Sequence, residues 1–469
     1  MFIKKITIQN FRLFLSDKIF EVDDFNIPDQ QNEGSGITVF VGENGCGKTS
    51  LLDALVSPML PYKGDGFSVC DFNDPDKKAE IKIFSERDFA FAGTMPSSKY
   101  IAKGFSFEAG VRSRDTKAHL SSMVVSDQKF IKADGQIKPK DGSPDLRVSV
   151  NNPFIGTRFN ENDILFLDKN RTFQIRSGTY NSTRFDRLME DFDFQYIKKQ
   201  SPIENINENF DDIKEGLENQ FLNEAIIKFK AISGKDISIN FVDNFKPFNR
   251  GFFAERKENN QQIPLNMLGS GFEMIFSLLY SFYLSQQSKK QLIVLIDEPE
   301  LHLHPSLQED FVKILLEFSK TAQIILTTHS PLLIKQLLYN EKVMVNILTN
   351  DDQNIQVLPI QERLLSYISS NEINYLAFEL ATEEYHNELY EEIKYMKGDQ
   401  KGIKEFDKSF FVDEKQEPAN SPWMTHQNEV SIHTFIRNQI HHQKDNGRPD
   451  PSYLNASIEK MRIFLKELI

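Results

Sequence analysis

Residues Gly42 to Ser50 read GENGCGKTS. This is a complete G-x-x-x-x-G-K-[S/T] pattern, and each residue type in it has a job. The glycines let the backbone curl so that its N–H groups point inward, a lysine enters a helix, and a hydroxyl follows it. Such a loop suits an anion with several phosphate oxygens. The amides and the helix N-terminus supply partial positive charge, Lys48 reaches the β- and γ-phosphates, and Thr49 offers an oxygen to Mg2+. Asn44, Gly45, Cys46, Gly47 and Ser50 complete the nucleotide-binding candidates of this loop.

Two further stretches carry matching chemistry. In LIVLIDEPELHLHPS a continuous apolar run ends in Asp297 and Glu298. Asp297 suits a Mg2+ ligand, and Glu298 suits a residue that orients or deprotonates an attacking water. His302 and His304 have no third ligand near them and read as loop residues packing beside the site. The third stretch, QIILTTHS, ends in Thr328 and His329, where a histidine can hydrogen-bond a γ-phosphate. Finally, MLGSGFEM places Gly269, Ser270 and Gly271 immediately before an apolar helix.

These residues need a scaffold that brings strand ends together. ITVFV (37–41) reads as a short buried strand, followed by an apolar helix, TSLLDALVSPML, that stops near Pro58. LIVLID and QIILTT are buried strands, with the amphipathic helix SLQEDFVKILLEFSK between them. Buried strands alternating with helices predict an α/β core with a largely parallel sheet. The predicted organisation is 1–85 as the N-terminal lobe of the core, 86–240 as an inserted strand-rich and helical segment, 241–365 as the C-terminal lobe, and 366–469 as a C-terminal helical domain. In the last, a polar, turn-rich stretch precedes a helical unit over 427–469.

Bulk properties limit the function classes. The chain has 469 residues, 39% hydrophobic and 26% charged, with 55 Lys+Arg against 68 Asp+Glu and a net charge of −13. That balance argues against a wide nucleic-acid-coating surface but leaves room for a local basic groove. The two cysteines, Cys46 and Cys70, form neither a disulfide framework nor a zinc site, and they suit a reducing cytoplasm. The longest apolar stretch, MIFSLLYSFYL, is too short to span a bilayer, and the alternating N-terminus does not read as a signal peptide.

The order IQNFRLF, GENGCGKTS, LGSGFEM, LIDEPELHLHP and TTHS resembles ABC-type ATPase heads of the SMC/Rad50/RecF and OLD-like group. That resemblance implies ATP and Mg2+ as cofactors and a head-to-tail dimer with two ATPs sandwiched. Gly269, Ser270 and Gly271 would cap the γ-phosphate of the partner's ATP, and Arg12 would lie near the phosphates or base. Two departures stand out: LGSGFE replaces the usual Leu-Ser-x-Gly-Glu/Gln, and no clear Q-loop glutamine is present, Asp71 being the nearest candidate.

In the tail, FIRNQIHH puts Arg437 and His441 on one helix face, with Asn438 and His442 beside them. This resembles the R-x(4–6)-H motif of HEPN ribonucleases, against the plainer reading of a packing or partner-binding helix. Together with EINYLAFELATEEYHNELYEEI it resembles the ATPase subunits of the Septu and Septu-type retron antiphage systems, the PtuA family. That implies a homo-oligomer working with an HNH nuclease subunit (PtuB-like), with DNA or a retron RNA/DNA hybrid as a further partner and no membrane. The alternatives are an ATP-gated RNase with the HEPN-like site, and a RecF/OLD-like DNA-repair ATPase.

Overall fold

The computed structural model describes residues 2–59, 73–74, 77, 79–85, 88–95, 106–107, 123–124, 162–167, 174–176, 179–181, 220–239, 253–256, 262–264, 268–288, 291–351, 354–360, 363–398, 402–423 and 426–469. They fall into two compact units, Met1–Pro359 and Ile360–Ile469.

The first unit holds two main sheets. One joins β1 (Ile3–Gln9), β2 (Phe20–Val22), β4 (Ala79–Ser85) and β5 (Asp88–Met95), all antiparallel. Along β1, Ile3, Ile6 and Ile8 are buried while Lys4 is exposed, so one face of this sheet lies on the core. The second sheet is the scaffold of the site. Its strands are β3 (Ile37–Val41), β6 (Asn162–Leu167), β7 (Gln291–Asp297), β8 (Gln323–Thr328), β9 (Met344–Asp351) and β10 (Asn354–Pro359). The order is β10-β9-β3-β8-β7-β6, parallel except for the edge strand β10. Every residue of β3 and β8 is buried, as expected of strands covered on both faces. Their apolar side chains each stabilise the fold by about 1.5–3 kcal/mol relative to exposure.

Strand β6 lies within 86–240, read as an inserted strand-rich and helical segment, and joins the core sheet. NDILFL pairs with β7 in parallel register, Leu165 opposite Val294, and Leu165, Phe166 and Leu167 are buried. A six-residue apolar run cannot be assigned to a sheet by its own periodicity, because only its partner strand decides. Helix α2 (Gln220–Ser233) is likewise tied to the core: Phe229 meets Phe276 of helix α3 (Ser270–Ser288) edge-on at 5.5 Å.

The C-terminal unit packs Ser370–Phe378, Glu383–Met396, Ile432–His441 and Pro451–Leu468 around Tyr385, Leu389, Tyr390, Phe406, Phe411, Ile458 and Met461. The stretch read as polar and turn-rich contains a helical turn, Ile403–Phe406, and a wider helix over Asp407–Glu414. Phe406, Phe410 and Phe411 in it are buried, so its aromatics outweigh its charges. The unit read as helical from 427 opens instead on a strand, His426–Val430, paired with Ser421–Trp423.

Candidate nucleotide-binding site

Three strands deliver the chemistry. β3 lies beside β8 and β8 beside β7, all parallel, so the phosphate loop after Val41, the acids after Ile296 and His329 after Thr328 emerge at the same sheet edge. Helix α1 (Lys48–Met59) starts inside the loop. Gly42, at φ 148°, has no room for a side chain, since a Cβ would stand 2.2 Å from the Leu348 carbonyl oxygen. Glu43, Asn44 and Gly45 form an exposed tip, while Cys46 and Ser50 are buried. Asn350 Nδ2 donates to the Gly45 carbonyl at 3.2 Å. Lys48 is 4% exposed, and its Nζ donates to the carbonyls of Gly42 at 2.9 Å and Glu43 at 2.8 Å.

Asp297 is 1% exposed and accepts two hydroxyls, Thr49 Oγ1 at 3.0 Å and Thr327 Oγ1 at 2.6 Å. A threonine hydroxyl and a carboxylate are hard oxygen donors, the set that Mg2+ takes when phosphate oxygens and water complete its octahedron. Among the described residues no cluster of three or more His, Cys, Asp or Glu forms a separate metal cage.

Glu298 has left-handed backbone (φ 47°, ψ 61°), a conformation that costs of order 1–3 kcal/mol for a residue with a side chain. It is held there by its own N–H, which donates to the Thr327 carbonyl at 3.1 Å, and by Pro299, which opens a short 3-10 turn to Leu301. Its Oε1 lies 3.3 Å from His329 Nε2. Burial, then the Lys48 charge, holds the His329 imidazole below the ordinary histidine value, against the pull of Glu298 and Asp297. The ring is therefore neutral at neutral pH and can exchange hydrogen bonds with a carboxylate or water.

The structure adds Glu300, which motif reading passed over, and gives a partner to His302, read as packing beside the site. Glu300 Oε1 accepts the His329 backbone N–H at 2.5 Å, fixing the start of the loop after β8, and burial raises its carboxyl against that hydrogen bond. His302 Nδ1 stands 2.9 Å from Ser270 Oγ, at the first residue of α3. Both lie in DEPELHLH, but their partners come from distant parts of the chain. His304 caps helix α4 (Pro305–Phe318), accepting from the Ser306 N–H.

Other predicted residues are dispersed. Arg12, at φ 52°, makes an ion pair with Asp53 on α1, the helix that follows the phosphate loop. Asp71 lies outside the described residues. Gly269 is exposed, Ser270 half-buried and Gly271 buried. In the other unit, Asn438 is 1% exposed, while Arg437 lies 5.7 Å from the Tyr390 ring centre and 3.5 Å from the Glu391 carboxylate. His441 and His442 are exposed. The helix Ile432–His441 therefore carries Asn438 into the core rather than onto the face shared by Arg437 and His441.

A parallel sheet with a phosphate loop at its carboxyl edge, a buried aspartate beside the loop threonine and a glutamate next to it define a P-loop nucleotide hydrolase. Residues 1–139 and 147–334 match the family model described as "AAA ATPase domain", and the chain belongs to that family. Among curated proteins it is 24% identical to the OLD nuclease of Thermus scotoductus, over 70% of this chain and 59% of that protein. It is 22% identical to the Septu protein PtuA of Bacillus mycoides, over 77% of this chain and 43% of that protein. The chain thus spans less than two thirds of either relative. A solved Smc head domain with an extended coiled coil, derived from Pyrococcus furiosus, is 14% identical with a TM-score of 0.43, covering 77% of this chain and 96% of that one. Among the described residues no helix is long and apolar enough to cross a membrane.

Proposed function

We propose that the chain is the ATP-binding and ATP-hydrolysing regulatory subunit of an antiphage defence complex. It works as a head-to-tail dimer around two ATPs, in the cytoplasm, and controls a partner nuclease of the HNH, PtuB-like type. The observation that carries the reading is the convergence of Lys48, Thr49, Asp297, Glu298 and His329 at one sheet edge. The likeness to the Septu protein PtuA and to OLD nuclease supports the defence setting.

Lys48 and the loop amides hold the β- and γ-phosphates in place of the carbonyls that the lysine now meets. Mg2+ held by Thr49 and Asp297 would neutralise charge between those phosphates. Glu298 orients and deprotonates the attacking water, and His329, 3.3 Å away, positions the Glu298 carboxylate and contacts the γ-phosphate. Ser270 and the amides that open α3 close the other chain's site, the role that the resemblance to ABC-type ATPase heads implies for this turn.

Complementation tests the reading. Lys48→Ala removes one chain's own phosphate loop, and Ser270→Arg blocks the cap it offers. Mixing the two inactive chains recreates one intact site per heterodimer, so up to about half the wild-type activity should return. Normal hydrolysis by Ser270→Arg alone would remove the trans cap, whereas no recovery in proven heterodimers would mean either that the two sites must fire together or that the turn acts in cis.

A further inference from the structure

The capping serine is tied to a loop of its own chain. Ser270 Oγ and His302 Nδ1 are 2.9 Å apart although 32 residues separate them. The two backbones also touch: a Cβ on Gly271 would meet the His302 carbonyl oxygen at 2.4 Å, so only glycine allows this approach. His302 in turn is a fixed point. Its N–H donates to the Pro299 carbonyl at 3.1 Å, Leu301 N–H donates to the Glu298 carbonyl at 3.2 Å, and Leu303 beside it is 4% exposed. The 3-10 turn between Glu298 and His302 is therefore a short strut. One end carries the water-activating carboxylate, and the other holds the signature serine.

We infer that His302 is a positioning residue that aims the Ser270 hydroxyl at the partner chain's ATP, so that the acidic loop of each site sets the cap presented to the other. The inference rests on the head-to-tail reading above. The hydrogen-bond chemistry gives it direction. A serine hydroxyl has one proton and two acceptor lone pairs. If Nδ1–H donates to Ser270 Oγ, the serine proton is free to be given to a γ-phosphate oxygen. An imidazole on this side thus does two things: it fixes the serine rotamer, and it keeps the proton for the phosphate. Because the strut starts at Glu298, any shift of that carboxylate on phosphate release moves the cap of the opposite site.

The substitutions follow from the ring geometry. Asn places its amide where Nδ1 stands, whereas Gln places it near Nε2. His302→Ala should leave ATP binding to the chain's own phosphate loop unchanged and lower kcat roughly 5- to 10-fold, the effect of one lost hydrogen bond. His302→Asn should recover most of that loss, and His302→Gln should not. The decisive readout is mixing with excess Lys48→Ala chain. In such a heterodimer the intact phosphate loop of the His302→Ala chain faces a Ser270 held by an intact His302. Its rate per intact phosphate loop should return to the wild-type level.

Unchanged kcat in His302→Ala, or equal activity of the Asn and Gln variants, overturns the inference. So does a His302→Ala chain that stays slow in proven heterodimers, because the histidine would then serve its own phosphate loop. The Lys48→Ala and Ser270→Arg pair separates the two readings. If that pair complements and the His302 pair does not, only this inference falls. If neither complements and Ser270→Arg alone hydrolyses ATP normally, the head-to-tail reading falls and takes this inference with it.

Discussion

The two units handle buried polar groups in opposite ways. At the sheet edge of the first, Lys48 and Asp297 are buried behind a mouth formed by Glu298 and His329, whose side chains are 14% and 28% exposed. The present partners of Lys48 and Asp297 are mostly backbone carbonyls and hydroxyls, which a phosphate or a cation can replace. In the C-terminal unit the polar groups are closed in. Ser457 Oγ lies 2.9 Å from His386 Nε2 and 2.7 Å from His433 Nδ1, and all three residues are at most 1% exposed. Asp407 accepts the N–H and hydroxyl of Ser431, which caps the helix Ile432–His441. Tyr390 and Thr434 hydroxyls meet at 2.8 Å. The first arrangement leaves charge available for a ligand, whereas the second spends its hydrogen bonds on joining helices.

The largest effect should come from the open set. Glu298→Gln keeps the shape and the hydrogen-bond reach but removes the carboxylate proposed as the base. ATP hydrolysis should fall by about 10²–10⁴-fold while ATP still binds. A rate near wild type in a phosphate-release assay would assign water activation elsewhere and break the contrast at its sharpest point.

The closed set should respond in stability rather than turnover. Asp407→Ala leaves the Ser431 N–H and hydroxyl without their acceptor in a fully buried site, which should cost roughly 2–4 kcal/mol. Trp423, the single tryptophan of the chain, belongs to this unit, so its fluorescence in a urea titration reads the loss directly. An unchanged midpoint would show that the cap contributes nothing.

Acidification sharpens the same point. Burial lowers His386 well below the ordinary value, and burial with the Lys460 charge brings His433 to about 3. The unfolded chain protonates both near pH 6.5. For His433 the unfolded state binds more protons between those values, so stability is lost as pH falls from about 6.5 toward 3, by roughly 1.4 kcal/mol per pH unit, and His386 adds to the loss in the same direction. Trp423 unfolding that is flat across this window would mean the two rings take up protons in place.

Legibility in the sequence follows the same divide. The phosphate loop is read from adjacent residues because its function is local backbone geometry, and Asp297 and Glu298 are read because an apolar run ends on them. Their convergence needs the parallel order of β3, β8 and β7, which strand alternation with helices already implies. His302 is legible as packing beside the site, but its partner Ser270, like the partner His329 of Glu300, is distant in the chain and only the fold brings them near. Strand β6 stays silent for the same reason. In DKSFFVDE the charges mask a helix whose burial rests on two phenylalanines.

The smallest stability effect, and the most informative one, belongs to the helix where the two behaviours meet. Arg437 faces Glu391, whose side chain is 57% exposed, and His441 one turn on is exposed. The Arg437 side chain is itself only 14% exposed and lies over the Tyr390 ring, so Arg437→Ala should cost about 1–2 kcal/mol, whereas the exposed His441→Ala and His442→Ala changes should barely move the Trp423 transition. Loss of phage protection by the His441→Ala, His442→Ala double variant would then report a surface function rather than unfolding. Burial lowers His441, and the Arg437 charge adds to that effect, so the ring is neutral at neutral pH and able to accept a proton. That property serves an RNase and a partner-binding surface alike. Purified wild-type chain separates them. We expect protection to be lost in the variant while the wild-type chain alone leaves RNA intact, since Asn438 is committed to the core. RNA cleavage by the wild-type chain that disappears in the variant would instead move this helix into the open, ligand-ready class.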